Sequence, residues 1–155
     1  MPLGGAQNIP RPPDWRPGEP RPWAGAVDTA TFFEAVRAAY TGRVGRPAAV
    51  EGRPGVRRSA VLSAWYVRDD EQHVLCTRRS WNLRTHRGEV SFPGGGEEPG
   101  DESLHHTALR EAWEEVGLDP ASVKVLGELD HLTTVTSDRF IVPVVGLLDA
   151  PPTGL

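Results

Sequence analysis

Three glutamates within five residues, Glu111, Glu114 and Glu115, are the first side chains in this sequence whose types and spacing could do chemistry. If the segment is helical, each residue turns the chain by about 100°. The three carboxylates then share one arc, on the side away from most of the apolar stripe Leu104, Ala108, Ala112 and Val116. Like charges at this spacing cost roughly 0.2–0.5 kcal/mol per pair, a penalty that a cation among them would remove. A hard divalent ion, Mg²⁺ or Mn²⁺, fits that need: it prefers oxygen ligands, takes only some of them from protein, and keeps other positions for water and phosphate. Arg110, four residues before Glu114, can hold a carboxylate in place from behind. A bare Glu-x-x-Glu-Glu is more often a solvated acidic face, so the surrounding pattern has to decide.

The elements that would position these residues can be read in outline. Residues 1–25 hold seven of the 15 prolines, at 2, 10, 12, 13, 17, 20 and 22, and no apolar period; they read as an extended arm that Trp15 and Trp23 could pin to a domain spanning 26–155. The spacing of Phe32, Phe33, Val36 and Tyr40 predicts a helix from Asp28 to Tyr40, with Asp28 or Thr29 as its cap and Gly42 as its stop. Ser59–Val67 and His73–Thr77, rich in Val, Leu, Tyr and Trp, read as paired strands. A basic stretch from Arg78 to Arg87 leads to a short strand at Glu89–Phe92, and Pro93-Gly94-Gly95-Gly96 is expected to break regular structure. The acidic helix should run from Ser103 to Val116, capped by Asp101 or Ser103, with Gly117 at its C-terminal end. Val123–Leu132 and Phe140–Leu148 read as two further strands.

Gly96, Glu102, Arg110, Glu111, Glu114, Glu115 and Gly117, with apolar Ala112 and Leu118 between and after them, resemble the Nudix box at every fixed position. At roughly 5% abundance per residue type, seven matches at set spacings arise by chance about once in a billion starts, so the solvated-face alternative yields. The glycines would give a tight loop whose backbone can approach metal or phosphates, and Glu102 is placed to pair with Arg110. The resemblance implies an α+β fold, the Nudix α/β/α sandwich with a mixed β-sheet and a loop-helix-loop. It also implies that Glu111, Glu115 and Glu114 bind one or more divalent ions bridging a diphosphate, with Arg110 orienting them. Catalysis would be electrostatic and would not need a covalent intermediate. Glu114 is one candidate for the general base; a residue from a later loop is the other.

Upstream, Leu75-Cys76-Thr77-Arg78-Arg79-Ser80, then Arg84, Gly88 and Phe92-Pro93-Gly94-Gly95, looks like the signature that precedes the box in coenzyme A pyrophosphatases, with Cys76 in place of a leucine. Gly127-Glu128-Leu129-Asp130 and Pro143–Leu148 are also similar to that group. The resemblance implies a nucleotide-diphosphate small molecule of the coenzyme A type as substrate, contacted by residues among Arg79, Ser80, Arg84, Gly88, Gly94 and Gly95. Arg84 is the favoured single contact, and Arg79, Arg84 and Arg87 could form a cationic fork beside the phosphates. Each arginine could equally pair with surface acids. Hydrolysis of ADP-ribose or a nucleoside triphosphate is the sister reading. A weakly active nucleotide- or acyl-CoA-binding module is a third, prompted by the chain ending at Ala150–Leu155 soon after a strand, where a homodimer could supply the missing wall.

Other features restrict these readings. A net charge of −4 argues against a sequence-independent nucleic-acid binder. No apolar run approaches the roughly 18–20 residues of a membrane span, so no membrane partner is expected and the cytoplasm is the default location. Cys76, the one cysteine, excludes an intrachain disulfide and reads as a small core residue. His86 and Trp81 read as a loop residue and a core cover. His105 and His106, adjacent and so on different helix faces, offer no evident paired role.

Overall fold

The computed structural model describes residues 28–48, 54–78, 88–134 and 139–153. The expectations for the 1–25 arm, including Trp15 and Trp23, and for Arg79, Ser80, Trp81, Arg84, His86 and Arg87 lie outside the described residues.

Helix α1, Thr29–Tyr40, begins where the sequence predicts, because Asp28 accepts hydrogen bonds from the Thr31 amide at 2.9 Å and its hydroxyl at 2.6 Å. Strand β1, Arg57–Arg68, turns tightly through Asp69 and Asp70 into β2, Glu71–Val74. Both aspartates adopt positive φ, 52° and 60°, the geometry of a two-residue hairpin turn that Asp tolerates better than most residues. The strands are therefore longer and the turn shorter than the polar run Arg68–Gln72 implies. Two short strands follow, β3 at Thr77–Arg78 and β4 at Val90–Ser91, which among the described residues pair only with each other.

The expected strand His73–Thr77 is thus two pieces. The Leu75 amide still donates to Ala64 O at 2.9 Å and its side chain is buried, but the chain then leaves the sheet and Cys76 is exposed. The expectation of a core cysteine is overturned: Leu75 takes the inward position and its neighbour points away.

Strand β5, Gly94–Gly96, corrects a second expectation. These glycines lie antiparallel to Ser59–Val61 of β1. A Cβ at Gly94 would stand 2.6 Å from the Val61 Cα, so a residue type that usually breaks strands is here what lets two backbones meet. Helix α2, Leu104–Val116, follows, capped by Ser103, whose Oγ accepts from the His106 amide at 3.2 Å, and ended by Gly117 at φ 65°. After a 3-10 turn at Pro120–Ser122 come β6, Val123–Glu128, β7, Leu132–Thr134, and β8, Arg139–Leu148. The single strand expected over Val123–Leu132 is split, with a register shift between Val125 and Gly127.

The sheet order is β2-β1-β8-β6, with β5 added beside β1 and β7 beside β8. β1 and β8 run parallel and the other pairs antiparallel, so the sheet is mixed. Alternation along β8 sends Phe140, Val142 and Val144 to the α2 side, with Ala60, Leu62 and Ala64 of β1. Val145 and Leu147 face α1 and pack with Phe33 and Leu126. The result is the expected three-layer α/β/α sandwich. On the α2 side Ala108 and Ala112 meet Ala60 and Ala64, all four fully buried, and such small residues bring the helix close to the sheet. Among the described residues no helix is long and apolar enough to cross a membrane.

Candidate active site

The loop-to-helix segment is organised by a buried carboxylate. Asp101, whose side chain is 2% exposed, accepts from Arg110 Nε and Nη2 at 3.1 Å each, a two-pronged pair. It also accepts from the Thr107 hydroxyl at 2.9 Å and the Glu98 amide at 3.0 Å. The Arg110 hydrogen bonds hold the Asp101 carboxyl well below the usual carboxylate range, against the opposing pull of desolvation. Asp101 in turn pushes Arg110 above the ordinary guanidinium value, aided by Glu114 and Glu111. The expected Glu102–Arg110 pair is therefore replaced. Glu102 is exposed and its amide donates to His106 Nδ1 at 3.3 Å. Asp101 is the residue turned inward at the start of the helix, and its two oxygens satisfy the guanidinium there.

Arg110 uses its remaining hydrogens on the acidic face of α2 and on β5. Nη1 donates to Glu111 Oε1 at 3.0 Å and Glu114 Oε2 at 3.2 Å, and Nη2 donates to the Gly96 carbonyl at 2.9 Å. One guanidinium thus ties the helix carboxylates to β5. Glu111 is the most enclosed of the three, 16% exposed against 54% for Glu114. Its carboxylate lies over Gly95, where a Cβ would stand 2.5 Å from Glu111 Cδ and Oε1. Glu115 reaches the same strand, Oε2 accepting from the Gly94 amide at 3.4 Å. The predicted Glu111, Glu114, Glu115, Arg110, Gly94, Gly95 and Gly96 are therefore brought together. Gly117 ends the helix, and Gly88, at φ 68°, lies just before β4.

A cavity of about 440 Å³ opens beside this face, lined by Gly96, Glu97, Glu98, Glu111, Arg57, Arg58 and Arg139, with Val56 at its edge. The arginines come from the starts of β1 and β8, and none was singled out in the sequence; their proximity depends on the parallel β1–β8 pairing. A larger cavity of about 640 Å³ lies against α1 and holds none of the box residues.

Among the described residues no three acidic, histidine or cysteine side chains already converge at metal-ligand distance. The donor set nonetheless fits a hard divalent ion in kind. It offers carboxylate oxygens only, two of the three groups are open to solvent, and the missing side chain of Gly95 leaves room at Glu111.

A second polar cluster escaped the sequence analysis. Glu128, at the end of β6, accepts from His105 Nε2 and His131 Nε2 at 2.8 Å each and from the Gly45 amide at 3.0 Å. Burial raises its pKa, but the bonds from His131, Gly45 and His105 outweigh burial and leave it below the ordinary value. His105 therefore has a partner after all, 23 positions away, and His106 lies 3.4 Å from Asp101. Only tertiary contact reveals these pairings.

Fold and site together define a class: a mixed-sheet sandwich that lays a carboxylate-bearing loop-helix along a glycine strand, beside a cavity with a basic wall. Residues 57–147 match the family model of the NUDIX domain, and the chain belongs to that family. Over 94 residues it is 48% identical to proteins named as the uncharacterized Nudix hydrolase NudL in Yersinia pestis and Yersinia pseudotuberculosis, covering 61% of this chain and 46% of each relative. The chain thus spans about half the length of the curated relatives it matches. Two solved structures share the fold: the Nudix hydrolase RenU of M. smegmatis, with TM-score 0.51 and 19% identity over 63% of this chain and 64% of that one, and the C. elegans Ap4A hydrolase, with TM-score 0.51 and 17% identity over 62% and 70%.

Proposed function

We propose that this domain hydrolyses a phosphoanhydride bond with the aid of Mg²⁺ or Mn²⁺ held by Glu111, Glu115 and Glu114. The observation that carries the reading is the acidic face of α2 held against Gly94–Gly96 by Arg110, at the wall of a cavity that also presents arginines. When bound, the ion neutralises phosphate oxygens and lowers the pKa of water. The chain's own groups do the rest. Arg110 donates to both Glu111 and Glu114 and so restricts where the two carboxylates sit. Glu114, half exposed, is the candidate to take the proton from the attacking water; a base from a later loop is the alternative.

Within this reading the substrate is coenzyme A or an acyl-CoA, split to 3′,5′-ADP and a 4′-phosphopantetheine product. Support comes from the signature around Leu75–Ser80, Arg84, Gly88 and Phe92–Gly95. Of its contact candidates, Gly88, Gly94 and Gly95 are described and Arg79, Ser80 and Arg84 are not. The alternative is ADP-ribose or a nucleoside triphosphate handled by the same carboxylates.

The test is chromatography of phosphate products after incubating wild type and Glu115→Gln with coenzyme A, ADP-ribose and dGTP, each with Mg²⁺ or Mn²⁺. Metal-dependent 3′,5′-ADP from coenzyme A, abolished in the variant, is the expected result. Turnover of the other two substrates with coenzyme A untouched removes the coenzyme A assignment and keeps the hydrolase. Silence on all three removes both. A homodimer accompanies the proposal, and molecular mass in solution checks it.

A further inference from the structure

Arg57 and Arg139 are register partners on the adjacent parallel strands β1 and β8. Their side chains therefore leave the sheet on the same face, from backbones about 5 Å apart, and both line the cavity that contains Glu111. Like charges placed side by side across a strand pair repel. Two neighbouring arginines are neutralised: Arg58 meets Glu97 at 2.9 Å, and Arg110 meets Asp101. Among the described residues neither Arg57 nor Arg139 meets a carboxylate.

Arg139 is also held in place. Its Nη1 donates to the Ser59 hydroxyl at 3.0 Å, and Ser59 is buried. Its backbone amide donates to Thr134 Oγ1 at 3.3 Å. The same Nη1 lies 3.8 Å from where a Cβ on Gly96 would be, while the Gly96 carbonyl receives Arg110. Gly96 thus stands between the guanidinium that organises the carboxylates and one that meets no acid among the described residues. A fixed guanidinium with unused donors, beside a second one, is an arrangement that phosphate oxygens satisfy with paired hydrogen bonds.

We propose that Arg139, assisted by Arg57, binds a phosphate group of the substrate in the cavity that Glu111 also lines, with Ser59 as the positioning residue for Arg139. The ligand class is the diphosphate itself, so the contact sets affinity for the charged part of the substrate and not for its organic group. The inference rests on the phosphoanhydride reading above and deepens it.

The test is calorimetric titration of inorganic pyrophosphate, in EDTA and without metal, into the full chain as wild type, Arg139→Gln, Arg139→Lys, Arg57→Gln and Ser59→Ala. Arg68→Gln, at the far end of β1, serves as the control. Steady-state kinetics accompany the titration, and circular dichroism checks that each variant folds. Arg139→Gln should weaken pyrophosphate binding by about 10-fold or more, the scale of one lost charge-assisted pair. Arg139→Lys should recover part of it, because lysine keeps the charge without the fork. Arg57→Gln and Ser59→Ala should fall between, Arg68→Gln should be unchanged, and KM should rise far more than kcat falls. A folded Arg139→Gln that binds pyrophosphate within twofold of wild type overturns the proposal, as does a wild type that does not bind it. If turnover is normal but binding ignores Arg139, the clamp fails and the hydrolase reading survives. If Arg139 governs pyrophosphate binding in a protein that hydrolyses nothing, the clamp stands and the hydrolase reading fails.

Discussion

Replacing Gly95 by alanine should cost this domain its activity while leaving its fold nearly intact. The added Cβ would stand 2.5 Å from Cδ and Oε1 of Glu111 and 2.6 Å from Oε2. Ordinary contact between such atoms is about 3.5 Å, so the carboxylate must withdraw by about 1 Å. A shift of that size in a reacting constellation costs about 100-fold in rate. Because the obstacle is the end of a rotatable side chain, the stability cost should stay below about 1 kcal/mol, a fall in Tm of about 2–4 °C or less. Gly94→Ala supplies the contrast. There the Cβ meets the backbone of β1, 2.6 Å from Val61 Cα, and cannot be accommodated by a rotamer change, so overpacking should cost about 1–3 kcal/mol or more. Initial rates at saturating Mg²⁺ and substrate, paired with thermal melts, separate the two effects. Gly95→Ala at wild-type kcat would refute the idea that Glu111 works from its seat on β5. A Gly95→Ala as unstable as Gly94→Ala would refute the division between a glycine that serves the site and one that serves the sheet.

Asp101→Ala should destabilise by about 3 kcal/mol, because it leaves a largely buried guanidinium without its main partner, whereas Glu102→Gln should shift the melt by less than about 0.5 kcal/mol. The pH dependence has a fixed sign. The folded Asp101 titrates below its ordinary value of 3.8, so its contribution is complete at neutral pH. It declines as the pH falls through 3.8 toward the lower folded value, because the unfolded chain takes up the proton first. Urea titrations between pH 6 and 3 should therefore show a steeper loss for wild type than for Asp101→Asn. Removing the carboxylate shared by His105 and His131 with Glu128→Ala should cost about 1–3 kcal/mol, visible as a lower urea midpoint. Pyrophosphate affinity should be unaffected, since this cluster lies outside the Glu111 cavity.

How much of this was legible in the sequence follows from the range of the forces involved. Helix α2 could be read because its determinants are local: a stripe recurring every fourth residue, a serine cap and a left-handed glycine all fall within fifteen positions. Strand β5 could not, since three glycines carry no strand preference of their own and take their pairing from β1, more than thirty residues earlier. The exposure of Cys76 depends on where the chain leaves the sheet, which composition does not fix. The bond between His105 and Glu128 is invisible for the same reason, because adjacency on a helix says nothing about what crosses from β6.

The replacement of Glu102 by Asp101 as the partner of Arg110 shows how motif spacing and physical role can separate. Spacing identifies which positions are fixed, but a guanidinium needs two oxygens in one plane at the depth where it sits. In this chain the buried Asp101 supplies both, while Glu102 faces solvent. The consequence reaches the site. Arg110 spends Nε and part of Nη2 on Asp101 and keeps Nη1 for Glu111 and Glu114 and the rest of Nη2 for Gly96. Asp101 therefore sets the rotation of the guanidinium from which the carboxylates take their positions. It follows that Asp101→Asn, which keeps the shape but weakens the pair, should lower kcat without a matching change in pyrophosphate affinity. A variant with reduced stability and unchanged kcat would show instead that Asp101 supports the fold alone and that Glu111 needs no orienting cation.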